Sequence, residues 1–285
     1  MRSSFVAAAL GASLFACAGN SKAAKTGGDY DQDETPRSKT EGAVTVSYGE
    51  TPQENWSKAE EEFKDENYLA AQKFYSYIRN KFPYSAFSTK AELRIADCLF
   101  ERGRYLEAID AYSNFARLHP THESVGYATF KVGASYYKQI PTDWFLIPPA
   151  YEKDQAAVKD AARALKTYVD RFPKDPSLED GKKLLKEVRL RLVAHERSVA
   201  DFYKRIDKPK AYAGRLEVIR RDFGDVAVDD ELLFEVAQAY AALRDGPRTK
   251  QALDELKQKF PASPRNVEGP LVLASTSTAS PARQP

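Results

Sequence analysis

Five times along this chain a helical apolar pattern runs into the same kind of stop. "KFPYS" begins at Lys81, "LHPTH" at Leu118, "RFPKD" at Arg171, "DFGDV" at Asp222 and "KFPAS" at Lys259. The residue before the Pro or Gly is Phe82, His119, Phe172, Phe223 and Phe260, at separations of 37, 53, 51 and 37. Proline ends a helix because it has no N–H to donate and its ring clashes with the preceding turn. A stop that recurs at about this interval predicts a repeat array of helical hairpins, each too small to bury its own apolar face. Almost no alternating strand pattern lies between the stops, so hairpins piled on hairpins are what the sequence permits.

The clearest unit is "AELRIADCLFERGRYLEAIDAYSNFARLHP", Ala91 to Pro120. It resembles the tetratricopeptide repeat, with Ala96, Gly103, Tyr105, Ala108, Tyr112 and Pro120 at that motif's intervals. Ala96 and Ala108 are expected where the two helices of the hairpin approach closely, and Tyr105 and Tyr112 where the next hairpin leaves a gap. Thr121 reads as the cap of the following helix. The first unit carries Ala59, Tyr68, Ala71, Tyr75 and Pro83 at the same intervals. The third places Gly133 at the close contact and the fourth opens with a long helix from about Leu178 to Ile206. The fifth carries Ala237, Tyr240 and Pro261. The expected fold is all-α, an α-α superhelix (solenoid) of five tetratricopeptide-like hairpins with a concave groove.

Composition places the flanks. Residues 1–16 read as a signal peptide: Arg2, then an apolar run from Phe5 to Ala16 that is too short for a permanent membrane helix. "LFAC", Leu14 to Cys17, resembles the bacterial lipobox, which makes Cys17 the candidate for lipidation. The alternative is cleavage near Ala16 or Ala18 to leave a soluble periplasmic protein. Residues 17–52, the lipidated Cys and a polar segment, read as a disordered tether. Repeats one and two and the first helix of repeat three occupy 53–139, and an inserted loop occupies 140–155. The rest of repeat three with repeats four and five occupies 156–263, and a disordered tail 264–285.

Several chemistries find no support. The formal net charge is only +2, which gives no electrostatic basis for binding nucleic acid. Cys17 and Cys98 are far apart, and Cys98 reads as a buried, inert thiol. His119, His122 and Glu123 lie close in sequence, but Pro120 separates the two imidazoles from a shared helical face, so no metal is expected. The long charged helix around His195, and the lack of nucleophile-elbow, phosphate-loop, dinucleotide-loop or H-E-x-x-H motifs, point to a protein that is not an enzyme and carries no cofactor.

Binding surfaces remain. If Ala59, Ala96 and Gly133 face their own hairpin, then Trp56, Phe63, Lys64, Phe100, Tyr127, Phe130, Tyr137 and Lys138 face the concave side. They form a substrate-peptide groove of aromatic rings edged by lysine, or else fill the core between repeats. The loop residues Trp144, Phe145, Leu146 and Ile147 either cover the seam between repeats two and three or meet a partner.

Signal, tether and repeats together resemble the BamD family of outer-membrane β-barrel assembly lipoproteins. "KFPYS", "LHPTHESVGYATFKVGASYY" and "HERSVADFYKR" look like its recurrent segments across roughly residues 54 to 262. Phe15, "DFGDV" and the long flanks depart from its pattern. The resemblance implies a scaffold lipid-anchored at the periplasmic face of the outer membrane. Its implied partners are the β-barrel insertase, the other lipoproteins of the machine and unfolded outer-membrane protein segments. It also implies that Arg215 contacts the insertase. The rival reading is a periplasmic adaptor that organises the cell envelope or the peptidoglycan machinery.

Overall fold

The computed structural model describes residues 44–141 and 154–266. Hairpin one is α1 (Pro52–Lys64) and α2 (Tyr68–Lys81), and hairpin two is α3 (Ala86–Glu101) and α4 (Tyr105–Leu118). Hairpin three is α5 (Val125–Lys138) and α6 (Ala156–Arg171). Hairpin four is α7 (Leu178–Arg205) and α8 (Pro209–Asp222), followed by the single turn α9 (Gly224–Ala227). Hairpin five is α10 (Asp230–Ala242) and α11 (Gly246–Lys259). Each long helix packs on the one before and the one after, as an α solenoid requires.

The recurrent stops share one geometry. Phe82, His119, Phe172 and Phe260 adopt φ between −123° and −130° and ψ between 55° and 64°. A following proline excludes the helical region for these residues, so the chain leaves the helix at a fixed angle. Phe223 precedes glycine instead. Its ψ is 23°, and the chain turns straight into α9. The replacement of Pro by Gly224 thus adds a turn that the sequence pattern does not announce.

Spacing of 37 residues organises the packing. Ala59, Ala96 and Gly133 stand one step apart on α1, α3 and α5, and all are buried. At Gly133 a β-carbon would lie 2.7 Å from Leu165 Cδ2 and 3.3 Å from the Leu165 backbone nitrogen. Only glycine permits α5 and α6 to close that far. Gly103, between α3 and α4, has φ +74°, and one step back Glu66 holds the same left-handed turn at φ 61°. Asp207 and Arg244, also one step apart, repeat it at 53° and 60°.

Among the described residues, most of the buried apolar side chains fall in three clusters. Tyr75, Ile78, Tyr112 and Phe115 centre the first, Val158, Leu165 and Val188 the second, and Leu216, Ile219, Leu232 and Leu256 the third. Helix α7 gives Val188 and Leu192 to the second cluster and Ala200 to the third.

Some expectations are corrected. Residues 44–51, assigned by composition to the tether, pack on hairpin one: Val46 joins the first core and Tyr48 stacks on Tyr77 with centroids 4.1 Å apart. Asn55 fixes this approach by bonding both the Gly49 N–H and the Gly49 carbonyl at 2.9 Å. At the other end Asn266 donates to the Phe260 carbonyl at 2.9 Å, so residues 264–266 belong to the cap of α11 rather than to the tail. Thr121 is not a cap, since α5 starts at Val125 after a turn and Ser124 precedes it. Tyr105 meets Phe100 of its own hairpin, with ring centroids 5.5 Å apart. The signal peptide, Cys17, most of the tether, the loop residues 142–153 and most of the tail lie outside the described residues. Among the described residues no helix is long and apolar enough to cross a membrane.

Candidate functional site

The aromatic residues expected in one row on the first helices of the hairpins stand in different surroundings. Trp56 is half-buried between Tyr75 and Phe87, with centroids at 5.3 and 5.5 Å. Phe63 lies under the Arg94 guanidinium at 4.1 Å, and Phe100 under the Lys131 ammonium at 3.9 Å. The same Lys131 stands 5.7 Å from the Tyr127 ring, so it joins Phe100 and Tyr127 into one patch. Phe130 is drawn away into the seam with α6, against Tyr168 at 5.3 Å. Tyr137 donates to Glu187 of α7 at 2.5 Å. Lys64 and Lys138, the last residues of α1 and α5, stand exposed.

Beneath this row runs a polar chain through three hairpins. Tyr75 donates to Glu60 at 2.6 Å, and Arg94 grips both Glu60 oxygens at 2.9 and 2.6 Å. Arg94 also reaches Asp97 at 3.3 Å, and Tyr112 and Tyr127 donate to the other Asp97 oxygen at 2.6 and 2.9 Å. Burial works against charge on Glu60, but the hydrogen bonds from Arg94 and Tyr75 outweigh it and hold its carboxyl below the ordinary value. Burial and the facing Asp97 push the Tyr112 and Tyr127 hydroxyls far up, so both remain donors. Cys98, fully buried beside Asp97, has its thiol pushed up to about 12, chiefly by burial. It is therefore protonated and unreactive at neutral pH.

The C-terminal hairpins carry a second set of ion pairs. Arg215 on α8 meets Glu196 on α7 at 2.9 Å, and that hydrogen bond raises the guanidinium further above its usual range. Its side chain keeps 39% exposure, while Glu196 keeps 16%. Glu196 therefore anchors a guanidinium whose outer edge faces solvent. Nearby, Glu235 on α10 accepts from both Arg197 and Tyr212. At the end of α7, Phe202 and Ile206 are exposed one turn apart.

A cleft of about 530 Å³ lies between α4 and α6, with α5 beneath it. Its lining includes Arg117, Arg163 and Arg171 beside Val125, Val132 and Tyr136. Concave-face reasoning overlooked it, because that phase follows the first helix of each hairpin and this cleft opens between second helices. The signal that could have found it is a break in the 37-residue step, where Glu92 on α3 gives way to Thr129 on α5.

His119 Nε2 is committed to Glu92 at 2.8 Å, and no cluster of three His, Cys, Asp or Glu suited to a metal exists among the described residues.

The YfiO family, described as "Outer membrane lipoprotein", matches residues 49–256. This chain belongs to the YfiO family. The match starts at Gly49, in the segment laid against hairpin one, and ends at Leu256 in the C-terminal core, so it takes in both ion-pair networks and the cleft. Relatives agree along most of the length. The outer membrane protein assembly factor BamD of Neisseria meningitidis serogroup A is 24% identical over 272 residues, 93% of each chain. BamD of Xylella fastidiosa is 24% identical, covering 73% of this YfiO-family chain and 72% of its own. That of Vibrio cholerae is 24% identical, covering 71% and 86%.

Proposed function

We propose that this protein is a non-enzymatic assembly factor for outer-membrane β-barrel proteins. It is held at the periplasmic face of the outer membrane by acyl chains on Cys17. The observation that carries the proposal is the family match across all five hairpins, with relatives named as assembly factors over most of their length.

Two surfaces divide the work. Arg215 contacts the insertase: it is partly exposed, oriented by Glu196, and able to offer a planar donor edge to a partner carboxylate. The Phe100–Lys131–Tyr127 patch, with Lys64, Phe63 and Lys138 along the same row, receives apolar segments of unfolded barrels. Other lipoproteins of the machine complete the assembly.

The test is a native pull-down from envelope extracts with wild-type protein and Arg215→Glu. Wild type should recover an outer-membrane insertase, and the variant should recover several-fold less while its thermal midpoint moves little, since a partly exposed ion pair contributes about 0–1 kcal/mol. Recovery of cell-wall machinery alone would favour the envelope adaptor. Mass spectrometry of the mature N-terminus reads acylation of Cys17 directly.

A further inference from the structure

Hairpin two closes its outer seam with a charged residue that hairpin three lacks. Glu92 on α3 meets His119, the cap of α4, at 2.8 Å. One 37-residue step along, Thr129 replaces Glu92 on α5, and the cap of α6 is Phe172. The Thr129 hydroxyl is turned back to the Val125 carbonyl at 2.8 Å, so it offers the cleft little polarity. Gly133 adds to the effect by drawing α6 down onto α5.

What remains is an apolar floor with a cationic rim. Val125, Val132 and Tyr136 form the floor, and small residues, Ala116 and Ala164, leave the space between α4 and α6 unfilled. Arg163 is paired with Asp160 at 3.0 Å. Arg117 meets the Asn114 side-chain oxygen at 3.0 Å, and Arg171 lies 5.4 Å from the Phe172 ring. Neither has a carboxylate partner among the described residues, and both are exposed. Two unneutralised guanidiniums beside an apolar trough match carboxylates next to apolar side chains.

We propose that the cleft between α4 and α6 is a docking groove for an acidic amphipathic helix of a protein partner. The helix lies along the groove as an added ridge, its leucine-sized side chains on Val125, Val132 and Tyr136, its carboxylates on Arg117 and Arg171. This surface is separate from Arg215, and its occupancy does not require the insertase contact.

The experiment uses the detergent-solubilised full chain and a fluorescein-labelled synthetic helix of about sixteen residues, with Leu at i, i+3, i+4 and i+7 spacing and Glu on the flanks. Anisotropy should show saturable, salt-sensitive binding that a Lys-for-Glu version of the peptide does not reproduce. Arg117→Glu and Arg171→Glu should each weaken binding about tenfold, with circular-dichroism melting unchanged, and Thr129→Trp should block the trough. A photo-crosslinker on one Leu should map to α5. Equal binding by the charge-reversed peptide, no effect of the arginine variants, crosslinks elsewhere, or preference for an extended peptide would each overturn the proposal.

Discussion

Tyr112 donates its hydroxyl to Asp97 at 2.6 Å across the second hairpin, and Tyr75 does the same to Glu60 across the first, each over fifteen residues of chain. The repeat therefore carries a polar clasp as well as an apolar stripe. Tyr112 is wholly buried and Asp97 nearly so. Removing the donor leaves a shielded carboxylate with one partner fewer, and removing the carboxylate leaves the buried Tyr112 hydroxyl and the half-buried Tyr127 hydroxyl without that acceptor. Tyr112→Phe should therefore cost about 1.5 kcal/mol in urea denaturation and Asp97→Ala about 3 kcal/mol. An Asp97→Ala cost no larger than that of Tyr112→Phe would show that Asp97 does not hold Tyr127 as well.

Glu66 occupies the left-handed turn that Gly103 occupies one repeat later. A side chain there is strained, by about 1 kcal/mol, and glycine is not. Glu66→Gly should raise stability by roughly 0.5–1 kcal/mol, and Gly103→Ala should lower it by about 1 kcal/mol. Chemical denaturation of the two variants side by side reads opposite signs.

Gly133 touches Leu165, and Leu165 is completely buried. Even one methyl has to push α6 away from α5. Gly133→Ala should cost about 1–3 kcal/mol, and Gly133→Ala with Leu165→Val should recover part of it. Additive losses in the double variant would mean the two residues do not share a contact.

Acid should weaken the stack in a defined window. Burial opposes charge on Glu235, but hydrogen bonds from Tyr212 and Arg197 prevail and lower its pKa from 4.5; Glu60 is lowered in the same manner by Arg94 and Tyr75. A carboxyl more acidic in the fold than in the unfolded chain stabilises fully above its unfolded value and loses that contribution as pH falls through the folded value. The thermal midpoint should stay level from neutral pH down to about 5 and fall below about 4.5. Glu235→Gln should lower it by about 2–4 °C at pH 7 and flatten the acid limb. A limb as steep as wild type would place the titration elsewhere.

The hairpins were legible because their stops, small residues and tyrosines recur at one interval, and a repeat multiplies each weak local signal. Thr121 was misread because the motif gives spacing but not where the next helix starts. Val46 and Tyr48 were missed because two apolar residues in a polar segment carry no periodicity; only the surface they fall on gives them meaning. The proposed role of Arg215 rests on resemblance, and its tie to Glu196 depends on two helices meeting nineteen residues apart. The cleft was invisible to any reading of a single helix, as it is made by what three helices fail to fill.

Helix α7 runs unbroken for 28 residues, about 42 Å at the usual rise. Its middle is fixed in one core by Val188 and Leu192, and its C-terminal part in another by Ala200. Such a rod ties the two cores together: a turn imposed near Glu196 is felt at Val188 as well as at Ala200.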